Sequence, residues 1–385
     1  MNTIYEGPYY LYDMHLLDET VKEAQASALK HNCNLYYAIK ANNENTILEV
    51  IRKKGMGVDC VTAEEINHAL KNGWSNSEIV FAGSGKTIRE IEYAFQSNIK
   101  CIHCESYEEW EVISQIRRRY PKSSTAVALR INPDLQVDTH EKISTGEKHH
   151  KFGMSFSTAL QIISKDSSII GFHVHVGSQV LDMEYFESLS LRMRELISHL
   201  PSTFQLRYLN LGGGLGIDYT QPERNSMPDF NGWMRAIRTH LPVEIIETIS
   251  LEPGRSVVGQ CGKLIGEVQY IKNLDFHPLA ILDIGMTEIL RPALYGARHK
   301  ITVSNDQLIS MKYTVSGPSC ESSDTFGGDY DLPILSRGDL VTVHSCGAYA
   351  SSMQLRYNLR RPIPSKYQYR KILTQLKKRE KALVA

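Results

Sequence analysis

Lys40 closes a short apolar run, Tyr37-Ala38-Ile39-Lys40-Ala41-Asn42. An ammonium is costly to bury at such a strand end, so its pKa is expected to fall. A neutral amine can form a Schiff base with an aldehyde cofactor. The alternative is a lysine that snorkels out to water. In Gly171-Phe172-His173-Val174-His175-Val176 the period of two puts both histidines on one face. Either alone reads equally as a satisfied core residue. Glu252 precedes a Pro-Gly turn and Arg255. Its carboxylate could meet a protonated ring nitrogen of a bound cofactor, or simply pair with Arg255. Gly212, Gly213, Gly214 and Gly216 would let backbone N–H groups approach an anion. They would serve a tight strand-to-helix turn just as well.

The elements that must position these residues alternate. Strand-like runs at 35–39, 57–61, 79–82, 101–104, 126–131, 170–176, 206–211 and 246–251 are separated by helical patterns. A further helix, about 17–31, precedes the first run. Eight such units predict a parallel (β/α)8 barrel, with a doubly wound open sheet as the alternative. Lys40, Gly83–Lys86, Arg130, His175, Gly212–Gly214 and Glu252–Arg255 fall at or just beyond the ends of those runs, and Asp59 sits within the second. In a barrel those ends share one mouth, and the seventh and eighth turns form its usual phosphate corner. After Arg255 short β-like runs dominate, at 256–271, 279–283, 302–303, 312–316 and 339–343. They predict a mostly antiparallel β domain. The expected division is 14–255 for the barrel and 256–385, with 1–13, for the β domain. The polar stretch 138–151 reads as a mobile loop.

Composition narrows the function. Lys+Arg and Asp+Glu are equal at 43 each, which gives no global attraction to nucleic acid or membrane. The basic run Lys377–Lys381 reads as a solvated helix end. The start carries no basic segment followed by an apolar one, and no stretch has the roughly 18 apolar residues of a span. Seven scattered cysteines suit a reducing cytoplasm. Cys101 and Cys104 are three apart in a strand-like run and face opposite sides, so no metal site is expected. A small-molecule enzyme fits this profile.

From Leu11 to about Pro364 the chain resembles the fold-type III pyridoxal-phosphate decarboxylases, the family of ornithine and diaminopimelate decarboxylases. The resemblance rests on Tyr37–Asn42, His175-Val176-Gly177-Ser178, Leu211–Gly216, Glu252–Arg255, Cys320–Asp324 and Gly347-Ala348-Tyr349. It implies pyridoxal 5'-phosphate as cofactor, held covalently by Lys40. His175 is implied to stack on its ring, Glu252 to meet the pyridine nitrogen, and Asp59 and Arg130 to buttress the site. Ser178, Gly213, Gly214, Gly216, Gly254, Arg255 and Tyr349 are implied to surround it, mostly at the phosphate. Cys320 is implied to come from a second subunit and assist protonation, so a homodimer with shared sites is expected. From the residues alone, Cys320 reads as a small buried hydrophobe.

Within the family the diaminopimelate branch is the closer match. Its pattern is similar at Thr139-His140, Ser144-Thr145-Gly146, Lys151-Phe152-Gly153, Arg291–Tyr295 and Cys320-Glu321-Ser322. Diaminopimelate carries a second amino-acid group at its far end. Arg255 and Arg291 can clamp that carboxylate, Tyr295 can add a hydrogen bond, Tyr349 is expected to join them, and Glu321 can take the ammonium. Inter-domain ion pairs are the alternative use of these charges. The expected reaction is meso-diaminopimelate to L-lysine and carbon dioxide. Two features depart from the family: Thr62-Ala63-Glu64-Glu65 replaces a Ser-Gly-Gly-Glu-like run, and no acidic residue follows Pro362-Ile363-Pro364. These leave room for a larger diamino-acid conjugate of siderophore or antibiotic pathways. An amino-acid racemase and a non-catalytic regulator are the remaining alternatives.

Overall fold

The computed structural model describes residues 6–135, 151–175, 177–274, 277–305 and 307–369. Thr139-His140, Ser144–Gly146, Val176, most of the polar stretch 138–151 and the basic run 377–381 lie outside the described residues.

Strand β1 (Tyr9–Asp13) and helix α1 (Met14–Lys30) come first. Eight strands then alternate with helices: β2 (Cys33–Ala38), α2 (Asn45–Lys53), β3 (Gly57–Cys60), α3 (Ala63–Lys71), β4 (Ile79–Phe81), α4 (Ile88–Gln96), β5 (Cys101–Cys104) and α5 (Tyr107–Arg119). The series continues with β6 (Ala126–Arg130), α6 (Phe156–Lys165), β7 (Ile169–His173), α7 (Met183–Ser198), β8 (Tyr208–Asn210), α8 (Phe230–Arg238) and β9 (Ile249–Leu251). All eight pairings from β2 to β9 are parallel, and β9 closes on β2 through Cys33↔Ile249. The sheet is therefore a closed barrel and not an open one. Strands such as β3 and β5 are buried at every residue, as parallel strands covered on both faces must be. Helices α3 to α8 are each opened by a side-chain cap: Thr62, Thr87, Ser106, Ser155, Asp182 and Asp229. The caps satisfy amides that would otherwise be orphaned where each loop turns into its helix.

The rest of the chain adds α9 (Arg255–Val258), β10 (Gly262–Lys272), β11 (Leu279–Leu282), α10 (Arg291–Tyr295), β12 (Ile301–Val303), β13 (Ser310–Ser316), β14 (Thr325–Pro333), β15 (Leu340–Val343) and β16 (Ser365–Gln368). Its sheet runs β12-β15-β10-β11-β13-β14, with β1 paired to β10 and β16. Most pairs are antiparallel; β1–β16 and β11–β13 are parallel. One expectation needs correction here, and one strand was not foreseen. Residues 256–261 are not strand, since α9 occupies Arg255–Val258 and β10 begins at Gly262. A short buried apolar run does not by itself distinguish helix from strand. Strand β14 gave no sequence signal, because register shifts against β13 and a left-handed Asp329 break its alternation.

Contacts divide the chain into two compact units. One comprises 21–217 and 227–257, the other 1–20, 218–226 and 258–385. Among the described residues no helix is long and apolar enough to cross a membrane.

Candidate active site

Lys40 lies in a single 3-10 turn directly after β2. Its side chain is 37% exposed, and Nζ donates to Asp59 Oδ2 at 3.2 Å. The expected burial of this amine is therefore incomplete: it stands at the end of the barrel strand, tethered to a buried carboxylate on β3. Asp59 Oδ1 is buried without a hydrogen bond. Burial, and then the nearby charge of Glu252, raise the Asp59 pKa to about 7. Arg130, at the end of β6, is paired with Glu105 at 2.5 Å and lies over the Phe152 ring. Glu105 also accepts the Gly153 amide at 2.9 Å, so one carboxylate holds Arg130 and the start of the 151–155 segment together.

Glu252 follows β9 and is buried. Oε1 accepts from Asn210 Nδ2 at 2.7 Å, and Oε2 lies 3.2 Å from His173 Nε2. Desolvation raises its pKa to about 7. The His103 and His173 rings stack at 4.1 Å and 11°. Burial drives both of their pKa values, and that of His175, well below the ordinary histidine value, so all three are neutral. His103, His173 and Glu252 place possible ligand atoms within 4.8 Å of one another. Stacked rings direct their lone pairs along parallel lines, which does not suit the convergent tetrahedral set of a zinc site.

Strand β7 ends at His173, so the alternation argument does not extend to His175. His175 Nδ1 instead accepts the Gly213 amide at 3.1 Å. The amides of Gly212 and Gly216 go to Asn210 Oδ1 and Val180 O. A Cβ at Gly213 would run into the Glu252 carbonyl oxygen. The glycines thus let the turn pass tightly between the ends of β7 and β9. Gly214 lies in the same turn, with φ +116°. Arg255 Nη2 donates to Ser178 Oγ at 3.0 Å, joining the turn after β7 to the one after β9. Gly254 packs against Ala38 and Ala41, on either side of Lys40 in sequence.

The remaining site candidates belong to the β unit. Cys320 is exposed, its amide donating to Asn358 Oδ1 at 3.0 Å. Glu321 is exposed and accepts the Ser323 amide at 3.3 Å. The loop is folded about buried Asp324, which takes the amides of Met286 and Ser319. Arg291 is 7% exposed, with Nη1 on His299 Nε2 at 2.7 Å and its guanidinium over Tyr219 at 4.6 Å. Tyr295 is exposed, and Tyr349 holds a left-handed backbone with φ +57°.

Sequence reading missed Glu105, His103 and Asn210 as parts of the barrel site. Glu105 follows directly after β5, a position that the strand-end rule could have flagged. His103 and Asn210 are polar residues within fully buried strands. Nothing separates them in sequence from satisfied core residues.

The barrel side chains suit pyridoxal phosphate: a partly exposed amine, a buried carboxylate beside neutral imidazoles, an Arg–Ser pair by a glycine turn, and an orphaned Asp59 oxygen beside the amine. Residues 17–259 match the family model described as pyridoxal-dependent decarboxylase, pyridoxal binding domain. The chain is 41% identical to a diaminopimelate decarboxylase of Bacteroides thetaiotaomicron over 362 residues, 92% of this chain and 94% of that one. The crystal structure of Helicobacter pylori diaminopimelate decarboxylase complexed with L-lysine superposes with a TM-score of 0.86 at 34% identity, covering 98% of both chains. That of M. jannaschii, also with L-lysine, gives 0.84 at 30% identity over 94% of this chain and 87% of that one. The chain belongs to the pyridoxal-dependent decarboxylases, and pyridoxal phosphate is its cofactor.

Proposed function

We propose that this enzyme decarboxylates meso-diaminopimelate to L-lysine. The observation that carries the reading is the Lys40–Asp59 pair at the end of the barrel strands, together with buried Glu252. Relatives named diaminopimelate decarboxylase, two of them in complex with L-lysine, support the substrate.

Bound pyridoxal phosphate supplies an electron sink for the pair left behind when the α-carboxylate departs as carbon dioxide. In this reading Lys40 holds the cofactor covalently, and Asp59 keeps Nζ directed into the site. Glu252 presents a carboxylate to the pyridine nitrogen, and Arg130, paired with Glu105, buttresses the site. His175 offers a neutral imidazole face. Ser178, Gly213, Gly214, Gly216, Gly254 and Arg255 hold the phosphate. Arg291, already fixed by His299 and Tyr219, takes the distal carboxylate with Arg255, Tyr295 and Tyr349. Glu321 takes the distal ammonium. Cys320 of a second copy, or Lys40, returns a proton to the α-carbon; with Cys320 in that role the working unit is a homodimer. The free thiols suit the cytoplasm.

The test is carbon dioxide release from meso-diaminopimelate, ornithine, lysine, arginine and acylated diamino acids. Release from diaminopimelate with formation of L-lysine is expected. Release from an acylated conjugate alone would move the enzyme to conjugate pathways. Lys40→Ala should fold, lose the visible cofactor band and lose several orders of magnitude in turnover. Near-normal turnover in that variant would remove Lys40 from the chemistry.

A further inference from the structure

Asn210 ends β8 and is completely buried. Its amide makes three hydrogen bonds. Nδ2 donates to Glu252 Oε1 at 2.7 Å and to Tyr208 Oη at 3.0 Å. Oδ1 accepts the Gly212 amide at 2.9 Å. The orientation cannot be reversed, because a flipped amide would turn its oxygen on the carboxylate and its NH2 on the Gly212 N–H. Tyr208 Oη receives a hydrogen from Asn210, so its own is free for His103 Nε2 at 2.9 Å. Whichever ring nitrogen of His103 carries the proton, Nδ1 lies 3.7 Å from Glu252 Oε1, too far for a hydrogen bond. Asn210 is therefore the close donor on Oε1.

We propose that Asn210 is the positioning residue of the site: its amide keeps Glu252 Oε1 an acceptor and ties that carboxylate to the glycine turn. This rests on the reading that Glu252 serves the pyridine nitrogen. An asparagine can donate but cannot exchange a proton with its partner. Oε1 is thus held in the form that supports an ionised carboxylate, despite the burial that opposes it.

Other groups act on Glu252 from the surrounding strands. Lys40 and Arg130 favour its charged form, while Asp59 and Glu105 oppose it. His103 and His173 are neutral. Burial raises the pKa values of Tyr36, Cys101 and Tyr208, so all three stay protonated. None of them replaces the close donor on Oε1. Asn210→Asp has nearly the same shape but sets a second carboxyl against Glu252. Two carboxyls at that distance share one proton, and the titration of the pair moves upward.

The test compares wild-type, Asn210→Asp and Asn210→Ala holoenzymes. The visible cofactor band is titrated with pH without substrate, and kcat and KM for meso-diaminopimelate are measured across pH. A donor role ranks the variants wild type, Ala, Asp. Both should keep the cofactor and show KM within about twofold of wild type. Asn210→Asp should lose roughly ten- to a hundredfold in kcat, with its spectral midpoint raised by about one pH unit or more. A packing role ranks them wild type, Asp, Ala, and that order would overturn the proposal. So would wild-type kcat and midpoint in Asn210→Asp, or a loss confined to KM. If Asn210→Asp does not fold, Asn210→Ala decides: wild-type kcat and midpoint there also overturn it. Failure of the wild type to use diaminopimelate would sink the substrate reading alone, because the spectral titration needs no substrate.

Discussion

The exposed carboxylate of Glu321 and the buried guanidinium of Arg291 call for different substitutions. Glu321→Ala should leave folding untouched and reduce kcat/KM for diaminopimelate by roughly ten- to a hundredfold, the loss of one charge-assisted hydrogen bond. Arg291→Lys keeps the charge but gives up the planar fork and the stacking on Tyr219. It should relax discrimination against lysine, which lacks the distal carboxylate. Steady-state rates on both substrates check each claim, and unchanged kcat/KM in both variants would remove these residues from substrate recognition. At the buried histidines the prediction concerns pH. The folded-state pKa of His173 is depressed below its unfolded value of about 6.5. Its contribution to stability is therefore present above that value and lost as pH falls. Asp59 and Glu252, raised to about 7, act in the opposite sense: their term is present at low pH and lost as pH rises toward 7. The net slope of the cofactor-free protein is a balance of the two. Removing the proton uptake of this imidazole on unfolding tips it: His173→Gln should gain on wild type by up to about 1.4 kcal/mol per pH unit below pH 6.5. Urea midpoints at pH 5.5 and 7 measure this, and an identical pH slope would show that the His173 ring does not titrate on unfolding.

Between elements, one buried cation carries much of the connection. Lys86, after β4, is fully buried; Nζ donates to the Gly83 and His103 carbonyls at 2.7 Å each and to Glu109 Oε1 at 2.8 Å. It joins the β4–α4 turn to the end of β5 and to α5. Lys86→Met removes one member of a buried ion pair and should cost about 3–5 kcal/mol. Denaturant unfolding checks it, and a loss below about 1 kcal/mol would mean that water replaces the ammonium. The sequence placed Gly83–Lys86 at a strand end but could not show that the lysine turns inward. The barrel itself was legible, because its parallel strands are short apolar runs that alternate with amphipathic helices. Strand β14 was not, since its register shifts against β13 erase the period of two. Lys40, His175 and Glu252 stood out through the residues beside them, such as the glycine turn and Pro253-Gly254. Asn210 did not, because a lone asparagine in a buried strand has no periodic signature; its partners become visible only when β8 lies between β7 and β9.

On the scale of the molecule, the proposed sharing of sites between two copies predicts complementation. Lys40→Ala and Cys320→Ala should each be nearly inactive as pure dimers. If each site takes its lysine from one copy and its cysteine from the other, a mixed dimer regains one intact site. Random exchange of equal amounts should then restore about a quarter of wild-type activity. Activity that stays at the level of the separate variants after subunit exchange would show that each chain completes its own site.

Strand β1 pairs with β10 through Tyr10↔Leu264 and with β16 through Tyr10↔Ser365. On the ribosome, β1 leaves the exit tunnel long before either partner exists. At roughly 5–20 residues per second, β10 follows tens of seconds later. Throughout that interval Tyr10 and Tyr12, both buried in the finished sheet, belong to a strand with two unpaired edges. Completion of β10 and β16 therefore sets the moment at which both edges of β1 are protected from pairing with a neighbour.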